Sequence, residues 1–241
     1  MSDAARLEAA RRLASPLAAY RPWAAPSGAS PQRAFHGSPA RVRVYRGGNR
    51  TGKTAALVVE ALLRCPGRPP RARRRPPVRG WLSALDWEHG IGQVLWPELK
   101  RWLPWEDVLA GGIVWYRRGD PAIPAAIPFR NGSLLELKTA KSGRDSYQGA
   151  GLAFAAVDEE HPADVIEELR ARLLGVPGGD LWVAATPVRR ERWLLDLERE
   201  PGTVVVRASM RDAAAAGLLD AEAVERYLGS LPERQRRVRE L

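Results

Sequence analysis

Cysteine is nearly missing from this chain: Cys65 stands alone among 241 residues, so no internal disulfide can form and no thiolate cage for zinc can be built. Histidine is also sparse. His36, His89 and His161 are scattered, which leaves carboxylates and phosphates as the groups to hold any metal. No apolar run approaches the roughly 18 residues of a membrane span, and the N-terminus lacks the apolar segment of an export signal, so a cytoplasmic chain with no membrane partner is expected. Lysine is scarce as well. Lys53, Lys100, Lys138 and Lys141 are the lysines in the chain, so the excess of 38 basic over 28 acidic side chains, a formal +10, is carried almost wholly by arginine. Arginine's planar fork suits phosphate, and a basic domain of this size points to a polyanion; a GC-rich coding sequence that raises Arg, Ala, Gly and Pro together is the plainer explanation.

What is there suffices for one large domain, or a domain with a small appendage, since 45% of the residues are apolar. The most informative stretch is Gly47-Gly48-Asn49-Arg50-Thr51-Gly52-Lys53-Thr54, which has the phosphate-loop spacing of Gly, four residues, Gly, Lys, Ser or Thr. A triphosphate is wrapped by backbone N–H groups, and side chains at Gly47 or Gly52 would hold that backbone away. Lys53 supplies a fixed charge for the β- and γ-phosphates. Thr54 offers a hydroxyl to Mg²⁺ and opens a helix whose N-terminus favours anions. The flanks agree: residues 41–46 read as a strand with Val42 and Val44 on one face, and residues 54–63 as a helix.

The second motif is Leu152 to Glu160, a run of small and apolar residues ending in Asp158-Glu159-Glu160. Such a run suits a strand buried on both faces of a parallel sheet, and carboxylates at its C-terminal end fall where open α/β sheets bind ligands. In this Walker B reading Asp158 holds Mg²⁺ with Thr54, and Glu159 is the general base for an attacking water. Acidic residues capping a helix would be the default reading without the phosphate loop. Residues 181–187 read as another buried strand, ending at Thr186, which either senses the γ-phosphate or simply turns.

Elsewhere, residues 2–19 have a helical pattern. Gln32 and Phe35, just before the first strand, suit an adenine edge and face, with a surface loop glutamine as the commoner alternative. Residues 64–79 interleave arginine with proline and are either a solvated loop or a basic finger, with Arg71, Arg73, Arg74 and Arg75 as candidate DNA contacts. Residues 87–102 read as an amphipathic helix. Residues 113–117, 127–130 and 133–137 read as strands of an antiparallel insert, turned at Asn131-Gly132. A polar loop over 138–148 carries Arg144. Further on come a strand at 203–207, a helix at 221–228 and a charged helical stretch from Pro232.

Taken together, GGNRTGKT, VDEE, AATP around Thr186, the lead-in around Gln32 and the closing LPERQRRVREL resemble the ATPase domain of tailed-bacteriophage large terminases, over most of the chain. The resemblance implies an α/β, three-layer P-loop NTPase of the ASCE type, with a mainly parallel sheet, a β-hairpin insert and a small C-terminal lid or linker. Residues 1–208 would be the ATPase core and 209–241 the lid and linker. It implies ATP and Mg²⁺ as cofactors, Gln32 reading adenine, Thr186 in a coupling motif, and Arg50 in cis or Arg144 in trans as the arginine finger. The implied partners are double-stranded DNA, a portal protein, a small terminase subunit and further copies in a homo-oligomeric ring on the procapsid, in the cytoplasm of a bacterial host; a monomer is left open for the isolated chain. The family's nuclease part is not in this sequence, so DNA cutting is not expected of it. A P-loop switch, a nucleic-acid-dependent ATPase without a packaging role, or a kinase is the alternative.

Overall fold

The computed structural model describes residues 16–67, 75–175, 178–189 and 191–240. Among them runs one eight-stranded sheet: β1 (Val42–Gly47), β2 (Arg79–Ala84), β3 (Val114–Arg117), β4 (Ile123–Pro128), β5 (Leu134–Thr139), β6 (Phe154–Asp158), β7 (Asp180–Ala185) and β8 (Thr203–Ala208). Their spatial order is β3-β4-β5-β2-β6-β7-β1-β8. The six strands from β5 to β8 pair in parallel, whereas β4 is antiparallel to both β3 and β5. β7 lies between β1, which feeds the phosphate loop, and β6, which ends in Asp158. That order brings the C-terminal ends of all three strands together at one sheet edge.

The central strands are buried on both faces, and alternate residues serve two separate cores. Along β6, Phe154 and Ala156 enter one cluster while Ala155 and Val157 enter the other; along β7, Trp182 and Ala184 oppose Leu181, Val183 and Ala185. The first core is covered by the helix Lys53–Arg64 and by the segment 87–102. The second is covered by Ala163–Arg172 and Arg192–Arg199. Three layers result. Past β8, Met210, Val224 and Leu228 form a small cluster of their own on the helices Met210–Ala215 and Ala221–Ser230.

Several local readings need correction. Residues 87–102 are helical, but Trp87–Leu95 forms wide π turns before a regular helix Trp96–Trp102. Asp86 caps the start, its carboxylate accepting from the His89 amide, and the Ile91 amide reaches back five residues to the Asp86 carbonyl. Val94, which helical spacing would put on the same face as Ile91, is exposed there. The insert joins the main sheet through β5, which is antiparallel to β4 but pairs in parallel with β2 along its whole length. The hairpin turn is as expected at Asn131-Gly132, but Arg130 joins it: Phe129 and Ser133 close a three-residue loop, with Gly132 at φ +83°. Arg79, grouped with the proline-rich loop, opens β2. Gln32 lies in a helix, Pro31–Gly37, capped by Ser30, and is 4% exposed, so it is no surface loop residue. The helical pattern over 2–19 lies outside the described residues apart from a short turn at Pro16–Ala19.

Behind the phosphate loop a buried ionic cluster ties β1 to the helix that follows. Arg43 is sandwiched between the Phe35 and Trp182 rings, 4.9 and 4.8 Å from their centroids, and donates to Glu60 at 2.8 Å. Glu60 also pairs with His36 at 2.8 Å. Burial alone would raise the Glu60 carboxyl, but His36 and Arg43 hold it down at about 2; burial lowers His161 to about 4. Both folded values lie below the unfolded ones, so each group's contribution is complete above its unfolded pKa and is lost as pH falls toward the folded one. Urea midpoints should therefore drop from about pH 6.5 toward 4 through His161, and again from about 4.5 toward 2 through Glu60, on the order of 3 kcal/mol for each group. A flat stability profile between pH 7 and 3 would contradict both assignments.

Candidate nucleotide site

The loop between β1 and the helix Lys53–Arg64 is shaped by contacts that leave no room for larger residues. A Cβ on Gly47 would lie 2.6 Å from the Ala208 carbonyl oxygen, and Gly52 sits at φ +79° with the Gln32 amide against it. Gly48 is crowded by Met210 and by the Arg239 carbonyl of the helix Glu233–Glu240. Arg50 takes a left-handed conformation at φ +58° that a non-glycine residue adopts only at a cost of about 1–3 kcal/mol, held here by its neighbours. With Asn49 it forms the loop's apex, and Arg50 is exposed.

The rest of the loop is braced from within. The Thr51 carbonyl accepts from Tyr45 Oη and Trp23 Nε1, both at 3.0 Å, while Thr51 Oγ1 donates to the Gly48 carbonyl at 3.0 Å. Lys53, 6% exposed, donates to the same carbonyl at 2.7 Å; burial lowers its pKa, and Glu159 and Asp158 oppose that shift. The Gln32 amide is engaged at both ends, accepting from the Trp23 amide at 3.1 Å and donating to the Gly52 carbonyl at 3.0 Å. It is a brace between the lead-in and the phosphate loop, and neither group is turned outward. Gln32→Ala should cost about 1–3 kcal/mol, since the buried Trp23 amide loses its acceptor and the Gly52 carbonyl keeps only the Ala56 amide, and should weaken nucleotide binding with it. A thermal melt and a nucleotide titration on the same sample test both effects.

The carboxylates follow. Asp158, at the end of β6, accepts a hydrogen bond from Thr54 Oγ1 at 3.0 Å. Burial, then the neighbouring Glu159, raise its pKa to about 7. One hydroxyl beside one carboxylate is an all-oxygen donor pair suited to Mg²⁺, which takes few protein ligands and completes its shell with water and substrate phosphate. Among the described residues no cluster of three or more His, Cys, Asp or Glu could form a dedicated metal cage.

Among the described residues Glu159 is, with Arg50, the other non-glycine residue at positive φ, +70°. Its amide donates to the Ala184 carbonyl at 2.7 Å, and its carboxylate accepts from the Thr186 amide at 3.1 Å. Burial raises its pKa, with Lys53 opposing. Thr186 Oγ1 donates to the Gly47 carbonyl at 3.0 Å, so this one residue joins the phosphate loop to the Glu159 carboxylate. Its hydroxyl is already committed to the loop.

Glu160 does something the sequence reading missed: its two oxygens accept from the Arg189 and Glu191 amides at 2.6 and 3.0 Å, fixing the segment after β7. Arg144 begins a short turn, Arg144–Tyr147, and donates from Nε to Glu168 at 3.2 Å, with half its side chain exposed. Glu168 is thus its carboxylate partner. Arg75 is exposed, whereas Arg71, Arg73 and Arg74 lie outside the described residues. An open groove of about 670 Å³ runs beside the loop, lined by Trp23, Gln32, Arg50, Lys53, Thr54 and Gln93 among others.

No protein-family model and no curated protein matches the sequence. Solved structures do. The ATPase domain of the Thermus phage P74-26 large terminase superposes with a TM-score of 0.68 at 20% identity, covering 93% of this chain and 94% of that one. The HK97 bacteriophage large terminase gives a TM-score of 0.59 at 15% identity, over 87% and 49% of the two chains. The large terminase of a thermophilic bacteriophage, in complex with ADP, gives 0.56 at 16% identity, over 86% and 51%. The chain spans about half the length of these last two. It therefore has the fold of the phage large terminase ATPase domains: an open, mainly parallel α/β sheet of the P-loop kind.

Proposed function

We propose that this chain binds and hydrolyses ATP and that hydrolysis drives double-stranded DNA into a phage procapsid. The observation that supports it most is the convergence of Lys53, the Thr54–Asp158 pair and the Glu159–Thr186 pair at the C-terminal ends of β1, β6 and β7. A carboxylate held off the metal pair and beside the phosphate loop can take the proton of an attacking water; in a kinase it would serve an acceptor hydroxyl instead, and the fate of the phosphate separates the two. ADP in the thermophilic phage's terminase supports an adenine nucleotide as the ligand.

In this reading the loop amides of residues 49–54 and the Lys53 ammonium bind the β- and γ-phosphates, while the Gly48 amide stays on the Ala208 carbonyl, and Thr54 with Asp158 would hold Mg²⁺. The bound ion would offset charge on the phosphate oxygens. Glu159, steadied by the Thr186 amide, accepts a proton from water as the water oxygen attacks the γ-phosphorus and the bond to the β–γ bridging oxygen breaks, leaving ADP and inorganic phosphate. Thr186, through Gly47, ties the base to the loop that feels the phosphates. Arg144, exposed and on a short turn, is assigned as the finger supplied to a neighbouring copy, with Arg50 as the alternative acting in its own subunit. The ring, the portal and the small terminase subunit belong to the same proposal, as does a DNA surface rich in arginine that includes Arg75.

The test is release of inorganic phosphate from ATP with and without double-stranded DNA. Hydrolysis stimulated by DNA of any sequence, with DNA affinity falling steeply as salt rises, supports the motor reading. Transfer of the phosphate to a small-molecule or protein acceptor would replace it with a kinase, and hydrolysis indifferent to DNA would leave an ATPase without the packaging role.

A further inference from the structure

Three side chains outside the hydrolysis scheme lie fully buried between the Arg144 turn and Glu159: Tyr147, Ser83 and His161. Tyr147 closes the turn that Arg144 begins, Ser83 stands near the end of β2, and His161 follows Glu159 by two residues. The Ser83 hydroxyl is 2.5 Å from Tyr147 Oη and 2.8 Å from His161 Nε2, and His161 Nδ1 is 3.1 Å from the Glu159 carbonyl oxygen.

The order of donation is forced. A carbonyl only accepts, so Nδ1 carries the ring proton; in a neutral imidazole Nε2 must then accept, so Ser83 donates to it. The Ser83 oxygen is left to accept from the Tyr147 phenol. Burial keeps each group in the form this order needs, lowering the His161 pKa to about 4 and raising that of Tyr147. At the far end, the peptide gripped by His161 is the one following Glu159, whose φ of +70° is not a conformation it would hold unaided. The Arg144 turn has two further anchors: Lys138 donates to the Ser146 carbonyl at 2.9 Å, and Trp81 packs edge-on against Tyr147 at 5.7 Å between centroids.

We propose that Tyr147, Ser83 and His161 are positioning residues: their one-way hydrogen-bond chain fixes the Arg144 turn to the Glu159 peptide, so that the arginine and the base are set together. The catalytic consequence rests on the hydrolysis reading above, whereas the mechanical link does not. Apolar residues of the same shape would pack the space equally well but would let the turn and the peptide move independently.

Tyr147→Phe keeps the ring and removes only the phenol; Ser83→Ala cuts the chain at its middle. In both, kcat for ATP should fall about tenfold with KM unchanged, and adding Arg144→Ala to Tyr147→Phe should cost much less than Arg144→Ala costs in the parent chain. Amide hydrogen exchange should rise about tenfold at residues 144–148 and 159–161 together, and nitrogen chemical shifts of His161 should report the Nδ1–H tautomer in the parent. Unchanged kcat in folded variants, or faster exchange at one segment alone, would overturn the link. If the parent chain releases no phosphate, the hydrolysis reading fails, and the exchange and tautomer measurements still decide whether the chain exists and couples the two segments.

Discussion

Glu159→Gln is expected to bind ATP as the parent does and to hydrolyse it roughly a hundred- to ten-thousandfold more slowly, the range for loss of a general base. The substitution is close to isosteric. A glutamine carbonyl can still accept from the Thr186 amide, which lies 3.1 Å from the Glu159 carboxylate, and glutamine meets the same backbone demand at φ +70°. What disappears is an oxygen able to take a proton. Burial raises the Glu159 pKa, which makes it a stronger base, and Lys53 opposes that shift. Lys53→Ala should behave differently, because it removes the one lysine ammonium of the phosphate loop and so costs nucleotide binding itself. Titration with a fluorescent ATP analogue, run beside a phosphate-release assay, separates the two. Equal loss of affinity in both variants would contradict the division between binding and chemistry.

The strand, loop and helix around residues 47–54 and the buried strand ending at Asp158 were legible in the sequence because they depend on local spacing. Strand, loop and helix follow one another within about two dozen residues, and a strand buried on both faces shows as an unbroken apolar run. What the sequence could not show is how distant segments meet. Gln32 was read toward a base edge, but its amide is engaged by Trp23 and Gly52, one nine residues away and the other twenty. Thr186 was read as a sensor or a turn, and its bond to Gly47 spans 139 residues. The hairpin signal of the insert is local, whereas the parallel pairing of β5 with β2 depends on register across the sheet and left no trace in the sequence. Ser83, Tyr147 and His161 left no signal beyond a small polar residue in an apolar strand and a histidine after three acids. The π turns over 87–95 had one, in Gly90 and Gly92. Two glycines within three residues weaken a regular helix, and apolar periodicity alone does not register it.

Arg144→Ala should reduce ATP turnover by roughly a thousandfold or more in assembled protein, since an arginine finger supplied in trans contributes up to ~10⁵ in rate. Its position suits that role better than a structural one. The side chain is half exposed, and its link to Glu168 is shared with Arg172, whose guanidinium lies 2.9 Å from the same carboxylate. Glu168 is buried and needs a cation, and Arg172 supplies one, so Arg144 can leave for a phosphate without stranding the carboxylate. Arg50 is differently placed, within its own phosphate loop at φ +58°, where assembly would not alter its reach. Mixing decides between them. Arg144→Ala protein and Glu159→Gln protein should each be nearly inactive alone, yet a mixture should regain turnover wherever an intact arginine faces an intact base and its nucleotide. Rings shown to contain both chains but still inactive would rule out action in trans and return the role to Arg50, whose own Ala variant should then be inactive in any mixture that lacks an intact Arg50 beside an intact Glu159 in one chain.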